Sequence, residues 1–86
     1  MEKLSELPNV GKVLEQNLLS IGVETPEQLR SLGAKEVFIK IRLEVDSGAC
    51  LHMLYGIQGA IDGVSDKMLS EDTKKQLRDF YGTLKS

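Results

Sequence analysis

A tight turn at residues 8–11 holds the residues with the clearest binding chemistry in this sequence. It reads Pro-Asn-Val-Gly, and a lysine follows it. Asn and Gly tolerate a left-handed backbone, so the pattern predicts a hairpin at the head of a helix. The first amides of a helix lack acceptors within it and lie at the positive end of its dipole, which makes them a ready anion site. The candidate nucleic-acid or partner-binding residues are Asn9, Val10, Gly11 and Lys12.

The same turn has a structural interpretation, in which it only redirects the chain or contacts another protein. Helix–hairpin–helix DNA binders usually carry glycines at positions i and i+2 of this turn. Here Asn9 stands at the first of these positions and Gly11 at the second. The nearest candidate for a second hairpin, residues 56–59, has glycines three apart and lies inside a helix pattern. Both interpretations of the turn stay open from the sequence.

Groups for catalysis or metal binding are sparse. His52 is the single histidine and Cys50 the single cysteine. We expect both in one helix, where residues two apart point to different faces and cannot form a nucleophile–base pair. Cys50 is interpreted as a small buried hydrophobic residue. Asp62 and Asp66 do not make a calcium loop, and the sequence has no zinc spacing, Walker loop or dinucleotide fingerprint. We predict a protein that is not an enzyme and that uses no cofactor or metal, with a ligand or metal role at Cys50 and His52 as a minor hypothesis.

The charge balance argues against a strong nucleic-acid binder. Eleven Lys and Arg face thirteen Asp and Glu, which gives a net charge of −2. Nucleic-acid affinity depends on neutralising phosphates, usually with a basic face. The sequence has no basic block. We therefore expect any DNA binding by the isolated monomer to be weak and easily lost as salt rises.

Length and composition indicate one globular domain over residues 1–86. The chain is 41% hydrophobic and 28% charged, an ordinary globular balance. No apolar run approaches the length of about 18–20 residues that a membrane span requires. A single cysteine forms no internal disulfide, and the N-terminus lacks the pattern of a secretory signal. We expect a cytoplasmic protein.

Helix start and stop signals agree along the first half. A short helix over residues 2–7 ends at Pro8, and the next runs from about Gly11 to Ser20. Gly22 stands where a left-handed terminator belongs. A further helix begins with a capping box and a first-turn proline and stops at glycine. Its signal residues are Thr25, Pro26, Gln28 and Gly33. The side chains predicted to point inward are Val10, Val13, Leu14, Leu18, Ile21, Leu29 and Leu32.

The stretch from Val37 to Val45 is ambiguous. Its apolar residues alternate as in a half-buried strand, but they also fit one helical face. No partner strand is evident, and a lone strand cannot satisfy its backbone, so we predict a helix. Asp46-Ser47-Gly48 ends it. The helical face would hold Ala34, Val37, Phe38, Ile41 and Val45.

The second half of the sequence predicts two more helices. The first runs from Ala49 to Ile61, and its glycines, Gly56 and Gly59, predict either close approach of a neighbouring helix or a break near Gly56. A loop or short turn follows from Val64 to Leu69. Ser70 then caps a last helix that ends at Leu84. The predicted inward residues are Cys50, Leu51, Leu54, Ile57 and Ile61, then Leu77, Phe80, Tyr81 and Leu84.

The order of these segments resembles the C-terminal domain of the TfoX/Sxy proteins, regulators of bacterial competence. Three blocks carry the resemblance: Leu7–Gly11; Ile21–Leu29, continued by Leu32-Gly33-Ala34; and Leu51–Gly63. The first two are generic to helix–hairpin–helix proteins, and the third discriminates. Two departures from the family are expected to matter. We expect no counterpart here of the N-terminal domain of its fuller members, and the sequence has no tryptophan where we expect one after the third block.

The sequence therefore predicts a compact, all-α, five-helix single domain with a helix–hairpin–helix-like N-terminal half. The resemblance implies a regulatory module linked to transcription or competence, with no catalytic residues to transfer. We expect it to act through a protein partner or self-association, since Phe38 or Tyr81 could be exposed and seek cover. The alternative is weak, sequence-independent DNA binding through the hairpin amides and Lys12. No membrane and no small-molecule substrate are expected.

Overall fold

The computed structural model describes residues 3–85, and these form five α-helices and two single 3₁₀ turns. The described residues contain no strand, which confirms the predicted all-α class. Within this range, none of the helices combines the length and apolar character that crossing a membrane requires. The helices are α1 Lys12–Ser20, α2 Pro26–Leu32, α3 Ala34–Glu44, α4 Leu51–Asp62 and α5 Glu71–Lys85, and the 3₁₀ turns are Leu4–Glu6 and Asp66–Met68.

The first half follows its local signals. The short helix predicted over residues 2–7 is a 3₁₀ turn, and Glu2 lies outside the described residues. Gly22 ends α1 with a φ of 85°, as predicted. Val13 contradicts its predicted inward position, because 71% of it is exposed. It lies one position before the buried Leu14, and the inward face of α1 passes through Leu14 and Leu18 instead.

A complete capping box begins α2. The amide of Gln28 donates to Thr25 Oγ1 at 3.2 Å, and the amide of Thr25 donates to Gln28 Oε1 at 3.3 Å. Pro26 occupies the first helical position, where no amide is needed. Of the two predicted inward leucines, Leu29 is buried and Leu32 is exposed.

The ambiguous stretch is a helix, as predicted. Val37, Phe38 and Ile41 are fully buried on one face of α3, whereas Leu43 is 80% exposed. Val45 lies beyond the helix end and is exposed, so its predicted place in the core is wrong. The carboxylate of Asp46 then accepts a hydrogen bond from the amide of Gly48 at 2.9 Å, and this local turn competes with further helix.

The central helix is α4, which packs against α2, α3, α5 and the second 3₁₀ turn. It begins at Leu51, and Leu54, Ile57 and Ala60 are fully buried in it. The prediction that Cys50 is buried is wrong. Cys50 occupies the capping position, where an extended backbone carries it outside the inward stripe of the helix.

Aromatic contacts hold α5 against α3. The rings of Phe38 and Tyr81 lie 6.0 Å apart, and the guanidinium of Arg42 lies 5.8 Å from the Tyr81 ring. Arg42 also donates to the carbonyl of Ala49 at 3.0 Å, which ties the α3–α4 loop to the same cluster. Because Phe38 is fully buried, it is not a surface that seeks a second copy of the chain. The predicted Ser70 cap is confirmed by a hydrogen bond from the Thr73 amide to its hydroxyl at 3.1 Å.

The helical register of α3 leads to a first prediction. In a strand, Ile41 and Leu43 would share one face, whereas in this helix one is buried and the other exposed. We expect Ile41→Ala to lower the free energy of unfolding by about 3 kcal/mol. Leu43→Ala should change it by less than about 0.5 kcal/mol. Urea denaturation followed by circular dichroism measures both, and equal losses would contradict the register.

Candidate functional site

A tight turn precedes α1 at the position predicted for the hairpin, and we keep the name hairpin for it. The amide of Val10 donates to the carbonyl of Leu7 at 3.3 Å, and Asn9 has a φ of 69°. Asn is one of the few residues besides glycine that adopt this left-handed conformation readily. Gly11 has an extended backbone and caps α1 without a side-chain hydrogen bond. The residue with the left-handed backbone is therefore Asn9, which stands where helix–hairpin–helix proteins usually have their first glycine.

The side chain of Asn9 connects this hairpin to α4 and to the loop that follows it. Its Nδ2 donates to the carbonyls of Gly56 at 3.2 Å and Val64 at 3.0 Å. Its Oδ1 accepts a hydrogen bond from the amide of Asp66 at 3.1 Å. Both donor hydrogens and the acceptor oxygen are thus directed into the protein. Asn9 acts here as a positioning residue, and a ligand-binding role for it stays a prediction.

Gly59 makes room for this contact. A Cβ at Gly59 would lie 2.5 Å from Asn9 Nδ2 and 2.7 Å from the Val64 carbonyl oxygen, whereas one at Gly56 would lie 3.6 Å from Asn9 Cβ. The predicted close approach is real, but the neighbour is the hairpin and the loop after α4, not another helix. The alternative of a break near Gly56 is wrong, since α4 continues through both glycines. Their place inside α4 also agrees with rejecting residues 56–59 as a second hairpin.

The predicted hairpin residues divide between the interior and the surface. Val10 is buried in the core, while Gly11 and Lys12 are exposed and line a groove of about 470 Å³. We call this the hairpin groove; it runs between the head of α1 and the start of α4. Sequence reasoning missed two of its apolar residues, the exposed Val13 and the half-buried Met53. Val13 immediately follows Lys12, which is a signal for the groove, although its helical spacing favours the core.

A second, smaller groove of about 200 Å³ adjoins the first, and we call it the lysine groove. It is lined by Tyr55, Lys67 and Lys74. His52 and Asp66 line both grooves and therefore stand at their common edge. The structure thus brings residues of α4, the second 3₁₀ turn and α5 to one place.

The pair at this edge has its own geometry. His52 Nε2 lies 3.5 Å from Asp66 Oδ2, and the side chains are 84% and 22% exposed, respectively. Asp66 Oδ1 accepts a hydrogen bond from the hydroxyl of Ser65 at 3.4 Å. Among residues 3–85, no three His, Cys, Asp or Glu side chains are grouped to hold a metal ion. The arrangement can recognise a polar or charged group, with His52 as its most accessible member.

Comparison with known protein families identifies the chain. The model of the TfoX C-terminal domain matches residues 1–81. The chain belongs to the TfoX C-terminal domain family. This confirms the resemblance inferred from three sequence blocks and extends it beyond Leu7–Gly63.

Two curated proteins share the TfoX C-terminal domain. The chain is 30% identical to Protein Sxy of Escherichia coli strain K12 over 83 residues, which are 96% of this chain and 39% of that protein. It is 27% identical to the DNA transformation protein TfoX of Haemophilus influenzae over 77 residues, or 90% of this chain and 35% of that protein. The chain therefore spans well under half the length of these relatives.

Solved structures from Listeria monocytogenes share the fold over nearly their whole length. A triclinic crystal form of an uncharacterized protein superposes with a TM-score of 0.95 at 44% identity, covering 99% of this chain and 96% of that one. A tetragonal form of a protein of unknown function gives a TM-score of 0.89 at 45% identity, covering 93% and 98%. At this identity, the chain shares its fold with both Listeria proteins.

The close packing at Gly59 generates a second prediction. Gly59→Ala should destabilise the domain by about 2 kcal/mol net, because a clash with a backbone carbonyl outweighs the gain in helix propensity. Gly82→Ala is the matched control, since a Cβ there meets open space in α5. It should stabilise by about 0.5–1 kcal/mol. Thermal and urea unfolding distinguish the two, and stabilisation by both changes would contradict the contact.

The Asn9 side chain generates a third prediction. Asn9→Gly keeps the left-handed backbone and removes three hydrogen bonds, so we expect a loss of about 1–2 kcal/mol in unfolding free energy. Asn9→Ala should lose about 1 kcal/mol more, because alanine is strained at positive φ. Urea denaturation measures both values. Wild-type stability in Asn9→Gly would mean that the three hydrogen bonds contribute nothing.

Proposed function

We propose that this chain is a non-enzymatic regulatory module that acts through protein contacts in the control of DNA transformation or of transcription linked to it. Membership of the TfoX C-terminal domain family and similarity to a relative named for DNA transformation support the process. Because the chain spans only part of that relative, the role proposed is that of a contact module and not of the whole protein. Its proposed location is the cytoplasm.

The observation that carries the protein-contact proposal is the apolar surface of the hairpin groove. Val13 is 71% exposed and lines this groove together with Met53 and Leu14. The buried centres of protein interfaces are apolar and enriched in Met, whereas nucleic-acid interfaces are much more positively charged. The hairpin groove holds one lysine, Lys12, in a chain of net charge −2. An exposed valine beside a methionine favours a protein partner.

Direct contact with DNA is the second candidate function. The observation favouring it is that no side chain caps the start of α1, where Lys12 stands at the first helical position. Such amides suit a phosphate oxygen. With one lysine at the site, we expect this binding to be weak and strongly reduced by salt.

Site-specific cross-linking tests the protein-contact proposal. We replace Val13 by the photo-reactive amino acid p-benzoylphenylalanine and irradiate cells that produce the protein. The control carries the same amino acid at Arg78, which is exposed on α5 and lines neither groove. We expect protein adducts from position 13 that are absent from position 78. Identical adducts from both positions, or none from position 13, would contradict the proposal.

An NMR titration with a short DNA duplex tests the second candidate. Under the protein-contact proposal, the amide resonances of residues 10–13 should not shift at physiological salt. Shifts confined to these amides that weaken with salt and vanish in Lys12→Glu would instead favour DNA binding. Lys75→Glu is the control, because it makes the same charge change on α5 outside both grooves.

A further inference from the structure

The hairpin groove and the lysine groove form one composite surface. They share His52 and Asp66, so a ligand in one can continue past this pair into the other. The hairpin groove supplies apolar contacts, above all Val13 and Met53. The lysine groove supplies the aromatic ring and hydroxyl of Tyr55 and two ammonium groups. The two halves therefore differ in chemistry.

The charge of this surface has the opposite sign to that of the whole chain. Its lining residues include three lysines, Lys12, Lys67 and Lys74, and one carboxylate, Asp66. The chain as a whole has a net charge of −2. The carboxylate of Asp66 is mostly covered and is bonded to Ser65 and close to His52, which reduces its repulsion of an incoming anion. The surface is thus locally positive.

One acidic group outside the lining opposes this positive potential. Glu71 Oε1 lies 4.0 Å from Lys74 Nζ, and the Glu71 side chain is 86% exposed. The Lys74 side chain is 23% exposed, but its partner is exposed and 4.0 Å away, so the pair is weak and screened by salt. Lys74 therefore retains the capacity to meet a carboxylate from a partner.

We infer that this composite surface binds an acidic peptide segment of a partner protein, and this inference rests on the proposed function. The same peptide segment also carries a bulky apolar side chain. The apolar side chain lies between Val13 and Met53, and the carboxylates lie over Lys67 and Lys74. The lysines favour an acidic segment through charge complementarity, and the exposed Val13 favours an apolar side chain in that segment.

The same features favour a peptide over nucleic acid. A duplex would approach with phosphates on both strands and needs several cationic contacts along a broad face. This surface has three lysines, two of them in a groove of only about 200 Å³. An apolar anchor has no counterpart on a phosphate backbone. A segment with side-chain carboxylates and one apolar residue uses both halves of the surface.

Peptide selection on the full chain tests this inference. A random phage-displayed peptide library is selected on the immobilised wild-type protein and on blank matrix. We expect enrichment of peptides that combine several Asp or Glu with Leu, Phe, Trp or Met. The selected peptide is then synthesised with a fluorophore, and its affinity is measured by fluorescence anisotropy for the wild type and each variant.

Matched variants locate the bound peptide. The double change Lys67→Gln and Lys74→Gln should weaken binding about fivefold or more, since each charge contact near the surface contributes modestly. Lys75→Gln removes the same type of charge next to Lys74 but outside both grooves, and should leave affinity unchanged. Val13→Ser should weaken the peptide carrying the apolar anchor more than its alanine-substituted version.

Four outcomes would overturn the inference, and the first three concern the selected peptides. They are a selected pool that is basic or uncharged, no enrichment above blank matrix, and a duplex DNA that binds the wild type more tightly than the selected peptide at physiological salt. Equal weakening by Lys75→Gln and the double change would also overturn it. Position-specific protein adducts from residue 13 would still support protein contact in the first two cases, so the failures of the two proposals are distinguishable.

Discussion

The amide side chain of Asn9 is the constraint on which the arrangement of the site depends. Three hydrogen bonds from this one group join the first hairpin to the middle of α4 and to the loop that follows it. They fix where α1 begins relative to α4, and this sets the width of the hairpin groove. They also hold the amide of Asp66, so its carboxylate stands beside His52. Asn9, which the sequence predicts to be a binding residue, therefore positions the surface around it.

This constraint explains two unusual choices in the sequence. A left-handed backbone at position 9 excludes most side chains, and the required hydrogen bonds exclude glycine, so Asn satisfies both conditions. The partner helix must then lack a Cβ at Gly59, in spite of the cost of about 1 kcal/mol in helix propensity. Packing and hydrogen bonding offset that cost. Asn9 and Gly59 are 50 positions apart, yet the side chain of Asn9 needs the space that the missing Cβ of Gly59 leaves.

The features that sequence reasoning predicted correctly are the local ones. The Thr25 capping box, the Gly22 terminator and the Ser70 cap involve residues within a few positions, so their signals are complete in the sequence. The family was predictable because three blocks keep their order and spacing. The errors concern register and distant contacts. Val13 is exposed because the helical period does not reveal which of two neighbouring positions faces inward, and Cys50 is exposed because α4 begins one residue after it. The hydrogen-bond partners of the Asn9 side chain lie at least 47 residues away in the sequence.

The composite surface separates residues that hold the fold from residues that are free to contact a partner. Asn9, Gly59 and the buried side chains of α4 carry the stability, whereas Lys12, Val13 and Lys67 are exposed at the groove edges. Exposed positions of this kind change with little effect on stability. Relatives could therefore keep the same hairpin and central helix while altering charge and apolar character along the grooves. The proposed partner contact falls on these lining residues, and the Asn9 hydrogen bonds keep the lining in one place.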